Sequence, residues 1–336
     1  MNSGRAGTTG RTRTPVAATR ADASRDGPAR GAPPALAFVK LHGAGNDYVF
    51  LDAIAHPGLE ALFAGTGGPD LVRRMSDRHR GIGSDGVILL CPARRPDAHA
   101  RMRMFNADGS ESEMCGNGVR CLAKFAFDRA GVRATPLLLE TGRGPVRVDF
   151  EPRDGTFTQA TIDMGVPELR PERVPVETSR LGASERPCEW VIPGESRAAT
   201  FISMGNPHAV IFLDARDAPS VALEELSRLD LSRVGPTLER HPAFPRRMNL
   251  HWVVATSRRD VTMRTWERGA GATQACGSGA CAAVVGGVAT GRLEAGVPVR
   301  VRVPGGELTA RWDGGESGVW LSGPAEEVYV GQWPLG

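Results

Sequence analysis

Two stretches decide the fold of this chain: MRMFNADGSESEMCGNGVRC (102–121) and MRTWERGAGATQACGSGACA (263–282). Met102-Arg103 recurs as Met263-Arg264, Phe105-Asn106 as Trp266-Glu267, and Cys115-Gly-Asn-Gly118 as Cys276-Gly-Ser-Gly279, at a constant offset of 161 residues (115 to 276, 105 to 266). Upstream, Gly45-Asn46 before Val49-Phe-Leu-Asp52 is echoed by Gly205-Asn206 before Ile211-Phe-Leu-Asp214. Four matches in register imply two homologous halves, each a strand, a turn and a cysteine-led helix, related by a pseudo-twofold axis.

Working outward, short β-type runs separated by turn signals are expected at Ala37–Leu41, Tyr48–Asp52, Gly86–Cys91, Arg101–Phe105, Val146–Phe150 and Thr158–Met164. The helix from Cys115 carries Val119, Leu122, Ala123 and Ala126 on one face, and Gly131 stands where a C-terminal cap belongs. After Cys276, Ala280, Ala283, Val284 and Val288 leave little polar face before Gly291, so that helix is expected to be buried on all sides.

Cys115 and Cys276 are each followed by Gly-x-Gly, which leaves first-turn amides open to a ligand. The positive helix end attracts an anion and is expected to lower a thiol's pKa. Taken singly, such a cysteine is most often a buried structural thiol. Two in matched contexts, aimed at one point from opposite sides, suit inversion of a stereocentre α to a carboxylate. One thiolate removes a proton while the opposite thiol delivers one, and the amide dipoles hold the developing charge. Thiols facing one small atom are also expected to form a disulfide on oxidation. Cys121 and Cys281 are not equivalent in the repeat, and Cys91 and Cys188 lie in no motif; all four read as structural.

Composition excludes other classes. The 336 residues exceed one ordinary core and suggest two domains or one large one. A net charge of +3 is too small to argue for nucleic acid or an acidic membrane, and no apolar run approaches a spanning helix. Six cysteines without CxxC or zinc-ligand spacing fit a reducing cytoplasmic setting and no metal. A pyridoxal-phosphate enzyme needs a lysine, and only Lys40 and Lys124 are available. Residues 1–35, rich in Arg, Ala, Gly, Thr, Ser and Pro, read as a disordered tail or a start placed too early. A transit peptide fits less well, given Asp22, Asp26 and no apolar face.

The chain resembles the diaminopimelate epimerases in LHGAGNDYVFLD (41–52), RGIGSDG (80–86), FNADGSESEMCGNGVRC (105–121), MGNPHAV (204–210), FPRRMNL (244–250), WERGAGATQACGSGACAA (266–283) and GPAEEVYVG (323–331). The resemblance implies an α/β (α+β) fold of two pseudo-symmetric domains, each a mostly antiparallel sheet wrapped around a central helix. These would be residues 36–160 with about 322–336, carrying Cys115, and residues 161–321, carrying Cys276. It implies cofactor-independent interconversion of LL- and meso-diaminopimelate, for lysine and peptidoglycan precursors, with Cys115 and Cys276 as acid and base. Gly116, Asn117, Gly277 and Ser278 match the positions whose amides bind the reacting carboxylate, and Asn106 and Glu267 lie near the amino group. Asn46, Asn206, Asn249 and Arg268 match the set that holds substrate, including its distal end. His208 and Glu267 match residues that tune the cysteines. The family is often a homodimer. Two departures stand out: Gly86 where Gln is common, and Ala272 where Glu is usual. The same chemistry on another amino acid, a cysteine hydrolase pairing Cys115 with His208, and an amino-acid-binding protein remain alternatives.

Overall fold

In the computed structural model of the chain, the described residues are 35–335 other than 153, 154, 156, 185, 187 and 214–218. The tail reading of residues 1–35 lies outside them except at Ala35, which instead opens the first strand, and Asp214 in the second echo lies outside them too. Among the described residues each half contributes seven strands of at least five residues. The first half holds β1 (Ala35–Gly43), β2 (Asn46–Asp52), β3 (Gly86–Cys91), β4 (Ala100–Asn106), β5 (Leu137–Thr141), β6 (Gly144–Asp149) and β7 (Gln159–Asp163). The second holds β8 (Ala198–Ser203), β9 (Pro207–Phe212), β10 (Asn249–Ser257), β11 (Asp260–Glu267), β12 (Val299–Val303), β13 (Gly306–Trp312) and β14 (Val319–Pro324). A last strand, β15 (Glu326–Pro334), returns to pair antiparallel with β1.

The duplication extends to every pairing. Antiparallel β1–β2, parallel β2–β3, antiparallel β3–β4, parallel β4–β5 and antiparallel β5–β6–β7 are repeated, in the same senses, by β8 to β14. Parallel neighbours need crossover connections. Those from β4 to β5 and from β11 to β12 carry the central helices, α1 (Gly116–Asp128) and α2 (Gly277–Ala289). The two halves are then joined edge to edge where β7 pairs antiparallel with β14. The boundaries drawn at 160/161 and 321/322 fall inside these two joining strands.

All six expected strands form, within a residue or two of the expected ends. The helix expectation for α2 holds, with Gly277 and Gly279–Gly287 buried. For α1 the structure goes further than the periodicity, burying every residue from Gly116 to Phe127. Its two polar long chains are accommodated inside. Lys124 bonds Asp128 at 2.7 Å and the Phe157 carbonyl at 2.6 Å, while the fully buried Arg120 reaches Asn117. One continuous apolar core encloses both helices and runs through both halves. Separate apolar layers lie outside the sheet in the first half and in the second. Burial of both sheet faces explains why strands such as Gly86–Cys91 are buried at every position.

Candidate active site

The repeat places Cys115 and Cys276 as N-caps with nearly the same backbone, φ −134°, ψ 126° and φ −126°, ψ 107°. Both line one cavity of about 500 Å³, within the range of small-molecule sites. Asn46 lines it from the turn at the start of β2, Asn106 and Glu267 from the matching ends of β4 and β11, and Asn206 and Arg268 from the second half. Gly116, Gly277 and Ser278 of the helix starts complete the set. Asn117, Asn249 and His208, also expected at the site, stand behind this wall instead.

Each of these three has a structural connection to the wall. Asn117 receives Arg120 Nη2 on its Oδ1 at 2.7 Å and donates Nδ2 to Asn46 Oδ1. Asn46 in turn donates to Asp85 at 3.2 Å. Asn249 accepts the Arg268 amide at 2.9 Å and donates to the Pro207 carbonyl at 2.7 Å. His208 shares 2.9 Å with Asn206 Oδ1 and 2.8 Å with His251 Nε2, and His251 Nδ1 lies 3.0 Å from Thr265 Oγ1. With the Asn206 oxygen as acceptor, the donor order runs from Thr265 through His251 and His208 to Asn206, which fixes one tautomer for each ring. The Asn206 amide then donates to Ser278 Oγ at 3.4 Å, beside Cys276 Sγ.

Helix starts were expected to lower both thiols. Burial outweighs them. It pushes the Cys115 thiol up against the Tyr48 hydroxyl and first-turn amides, which pull it down. The Cys276 thiol is pushed up further, by burial and then by the Glu267 carboxylate, against Ser278 and the Gly279 amide. Burial raises Glu267 itself, although Thr273 Oγ1 donates to it at 2.6 Å. His208 is held well below the usual imidazole range by burial and then by His251, and burial brings His251 down to about 3. Both imidazoles are therefore neutral near pH 7.

His208, His251 and Cys276 offer ligand atoms within 4.8 Å of one another. The ring nitrogens, however, are spent on each other and on Asn206 and Thr265, so a metal would have to break that chain. Neither lysine faces the cavity: Lys40 pairs with Asp47 at 2.6 Å and Lys124 with Asp128. Gly86 does not line the cavity either, and a Cβ there would lie 2.0 Å from the Phe105 carbonyl oxygen. Ala272 is exposed beside Thr273.

Sequence reasoning missed Tyr48, whose hydroxyl donates to Cys115 Sγ at 3.3 Å, and Arg143, which lines the cavity over Gly205. It also missed His251. Tyr48 was within reach, since the Asn46 to Asn206 match puts it in register with His208. Cys91, Cys121 and Cys281 are buried as expected, but Cys188 is exposed in a turn.

The diaminopimelate epimerase family model matches residues 38–170 and 200–328. A diaminopimelate epimerase from Desulfovibrio desulfuricans is 44% identical over 307 residues, covering 89% of this chain and 98% of that protein. One from Methanothermobacter thermautotrophicus is 41% identical, covering 88% and 98%. In three dimensions the chain is similar to a hydroxyproline epimerase from Agrobacterium vitis (TM-score 0.60, 20% identity, covering 90% and 93%). It is also similar to a Bacillus anthracis phenazine biosynthesis protein of the PhzF family (TM-score 0.63, 13% identity, covering 89% and 99%). These two share the fold at low identity, whereas the sequence relatives match along nearly their whole lengths, and the chain belongs to the diaminopimelate epimerase family.

Proposed function

We propose that the chain interconverts LL- and meso-diaminopimelate by two-base proton transfer between Cys115 and Cys276, without a cofactor. The observation that carries this reading is that two repeat-related cysteines cap two central helices and open on one cavity. The amides of Gly116, Asn117, Gly277 and Ser278 bind the reacting carboxylate, and the two helix dipoles offset charge delocalised into it. Asn106 and Glu267 face the amino group. Asn46, Asn206 and Arg268 hold the rest of the substrate, with Asn249 setting the Arg268 backbone.

In one direction a thiolate takes the α-proton and the opposite thiol gives its proton to the other face of the carbon. The two sulfurs end with roles exchanged, so the reverse reaction starts from the protonation state the forward one leaves. His208 and Glu267 act on this balance from the Cys276 side. The hydrolase alternative is disfavoured because both His208 nitrogens are engaged by Asn206 and His251.

The same reading takes residues 36–160 with 322–336 and residues 161–321 as the two domains. It also takes the protein as a cytoplasmic homodimer, for which the exposed Val328, Tyr329 and Val330 on β15 supply apolar surface. Among the described residues no helix is long and apolar enough to cross a membrane. Incubation with LL-diaminopimelate in heavy water, without pyridoxal phosphate, tests the reaction. Meso product and α-deuterium are expected from the wild type, and neither from Cys115→Ala or Cys276→Ala. Full activity in either variant would sink the two-base mechanism.

A further inference from the structure

We propose that the Tyr48 hydroxyl is the catalytic hydrogen-bond donor to the Cys115 thiolate, and that the two repeat-related thiols are therefore held by unlike chemistry. Tyr48 lies on β2 with 4% of its surface exposed, its ring set edge-on to Phe50 at 6.4 Å. Its hydroxyl hydrogen bond goes to Cys115 Sγ at 3.3 Å. A buried phenol needs a partner. A neutral thiol is a weak acceptor and a thiolate a strong one, so this placement rewards the charged sulfur. Burial, and then the neighbouring Cys115, push the phenol's own pKa well above its ordinary value, which keeps the proton on oxygen and available to donate.

The repeat shows why a donor is needed here. At α2, Cys276 Sγ accepts the Gly279 amide at 3.3 Å and lies 3.6 Å from Ser278 Oγ. At α1 the position of Ser278 is taken by Asn117, whose side chain is turned away to Asn46 and Arg120. The Asn117 and Gly118 amides favour the Cys115 thiolate, but neither closes on Sγ in a capping bond as the Gly279 amide does on Cys276. Tyr48 fills that deficit from the sheet. Pairing registers make Tyr48, opposite Gly86, the counterpart of His208, opposite Asn249. Where the first half points a hydroxyl at its cysteine, the second half points an imidazole at Asn206 and His251. The charged and titratable groups around Cys115 are Tyr48 from β2, Glu267 from β11, Arg120 and Cys121 on α1, and Cys276 across the cavity.

Naming Cys115 a base rests on the proposed function, so the test reads the thiol without substrate. The full chain and Tyr48→Phe, which keeps the ring, are alkylated with iodoacetamide across pH, and each cysteine is followed separately by peptide mass spectrometry. A hydrogen bond to a charged group corresponds to roughly one to two pH units. Loss of the hydroxyl should move the Cys115 profile up by about that much and leave Cys276 in place. Turnover of diaminopimelate should show kcat falling about tenfold with KM unchanged. A Cys115 profile that stays put, or profiles of both cysteines moving together, overturns the proposal. If the wild type does not turn over diaminopimelate while Cys115 alone still shifts, the proposed function falls and the Tyr48 assignment stands.

Discussion

Ile162 and Leu321 are paired directly across the antiparallel strands β7 and β14, next to Thr161 Oγ1 and Ser322 Oγ, which lie 2.6 Å apart. Ile162, opposite Val148 in the first half, answers to Leu321, opposite Ala310 in the second, so this directly paired couple of repeat-equivalent residues marks where the pseudo-twofold axis crosses the sheet. The strands that meet there also seat both helix starts. A Cβ at Gly116 would lie 3.3 Å from Ile162 Cδ1, and one at Gly277 would lie 3.1 Å from Leu321 Cδ2. The spacing of the two thiols is thus set by one pair of strands, not by the outer parts of either half.

Leu321 tests that dependence, since its side chain is fully buried and approaches both helix starts. Leu321→Ala should lower stability by about 2–5 kcal/mol and also reduce kcat well beyond any folding loss. Leu71→Ala, buried in the outer layer of the first half, should lose stability comparably while the folded fraction keeps its kcat. Denaturant melts paired with kinetics at a temperature where both variants are folded make the comparison. Equal kcat in the two variants would remove the claim.

Equivalent glycines should respond unequally to alanine. At Gly279 a Cβ would lie 2.2 Å from His251 Cε1, on a ring held by both of its nitrogens. At Gly118 it would meet the mobile ends of Ile88 at 2.8 Å and Met102 at 3.2 Å. Gly279→Ala should therefore cost about 1–3 kcal/mol, as overpacking does, and disturb the amide that reaches Cys276 Sγ. Gly118→Ala should cost less, because rotation of two side-chain ends relieves it and alanine favours the helix. Finding Gly118→Ala the more damaging would refute this account of the two helix starts.

What was legible in the sequence was whatever the duplication repeats. Cys115 with Cys276, Asn106 with Glu267, and Asn46 with Asn206 all reach the cavity, because equivalent positions in equivalent elements converge on an axis. The residues that escaped are those in which the halves differ. His251 answers to Ile88 in the strand register, and no local pattern marks it as polar support in a strand otherwise reading as buried. Arg143 sits in the turn between β5 and β6, where only the tertiary approach of the Gly205 turn brings it to the cavity. Burial was also invisible to local reading. It reversed the expected lowering of the thiols, since the sequence displays a helix dipole but not the desolvation opposing it.

The buried imidazole pair should make the protein acid-labile in a defined window. His208 and His251 titrate lower in the folded protein than the usual 6.5 of an unfolded chain. Between those values the unfolded chain binds more protons, so stability rises with pH and is lost as pH falls below about 6.5. The slope is up to about 1.4 kcal/mol per pH unit for each ring. Carboxylates held low in the fold, such as Glu60, give up their contribution only below about pH 4.3. Denaturant midpoints between pH 7.5 and about 4.5 should fall steadily in the wild type, and less steeply in His251→Gln. A flat profile over that window would mean the two rings are not held neutral.

Oxidation should select one pair of thiols among six. Cys91, Cys121 and Cys281 are buried and do not line the cavity, so none of them faces a partner thiol there. Cys188 is exposed but stands apart from the cavity. Cys115 and Cys276 share the cavity, and a charge on Cys115 raises the Cys276 thiol. Diamide, by taking up the two hydrogens of the thiol pair, should therefore link Cys115 to Cys276, and a dithiol reductant should restore full activity. Substrate should slow the reaction by occupying the space between the sulfurs, and Cys188→Ser should leave it unchanged. Peptide mapping after diamide decides the matter: inactivation without a Cys115–Cys276 linkage would show that the two thiols do not meet.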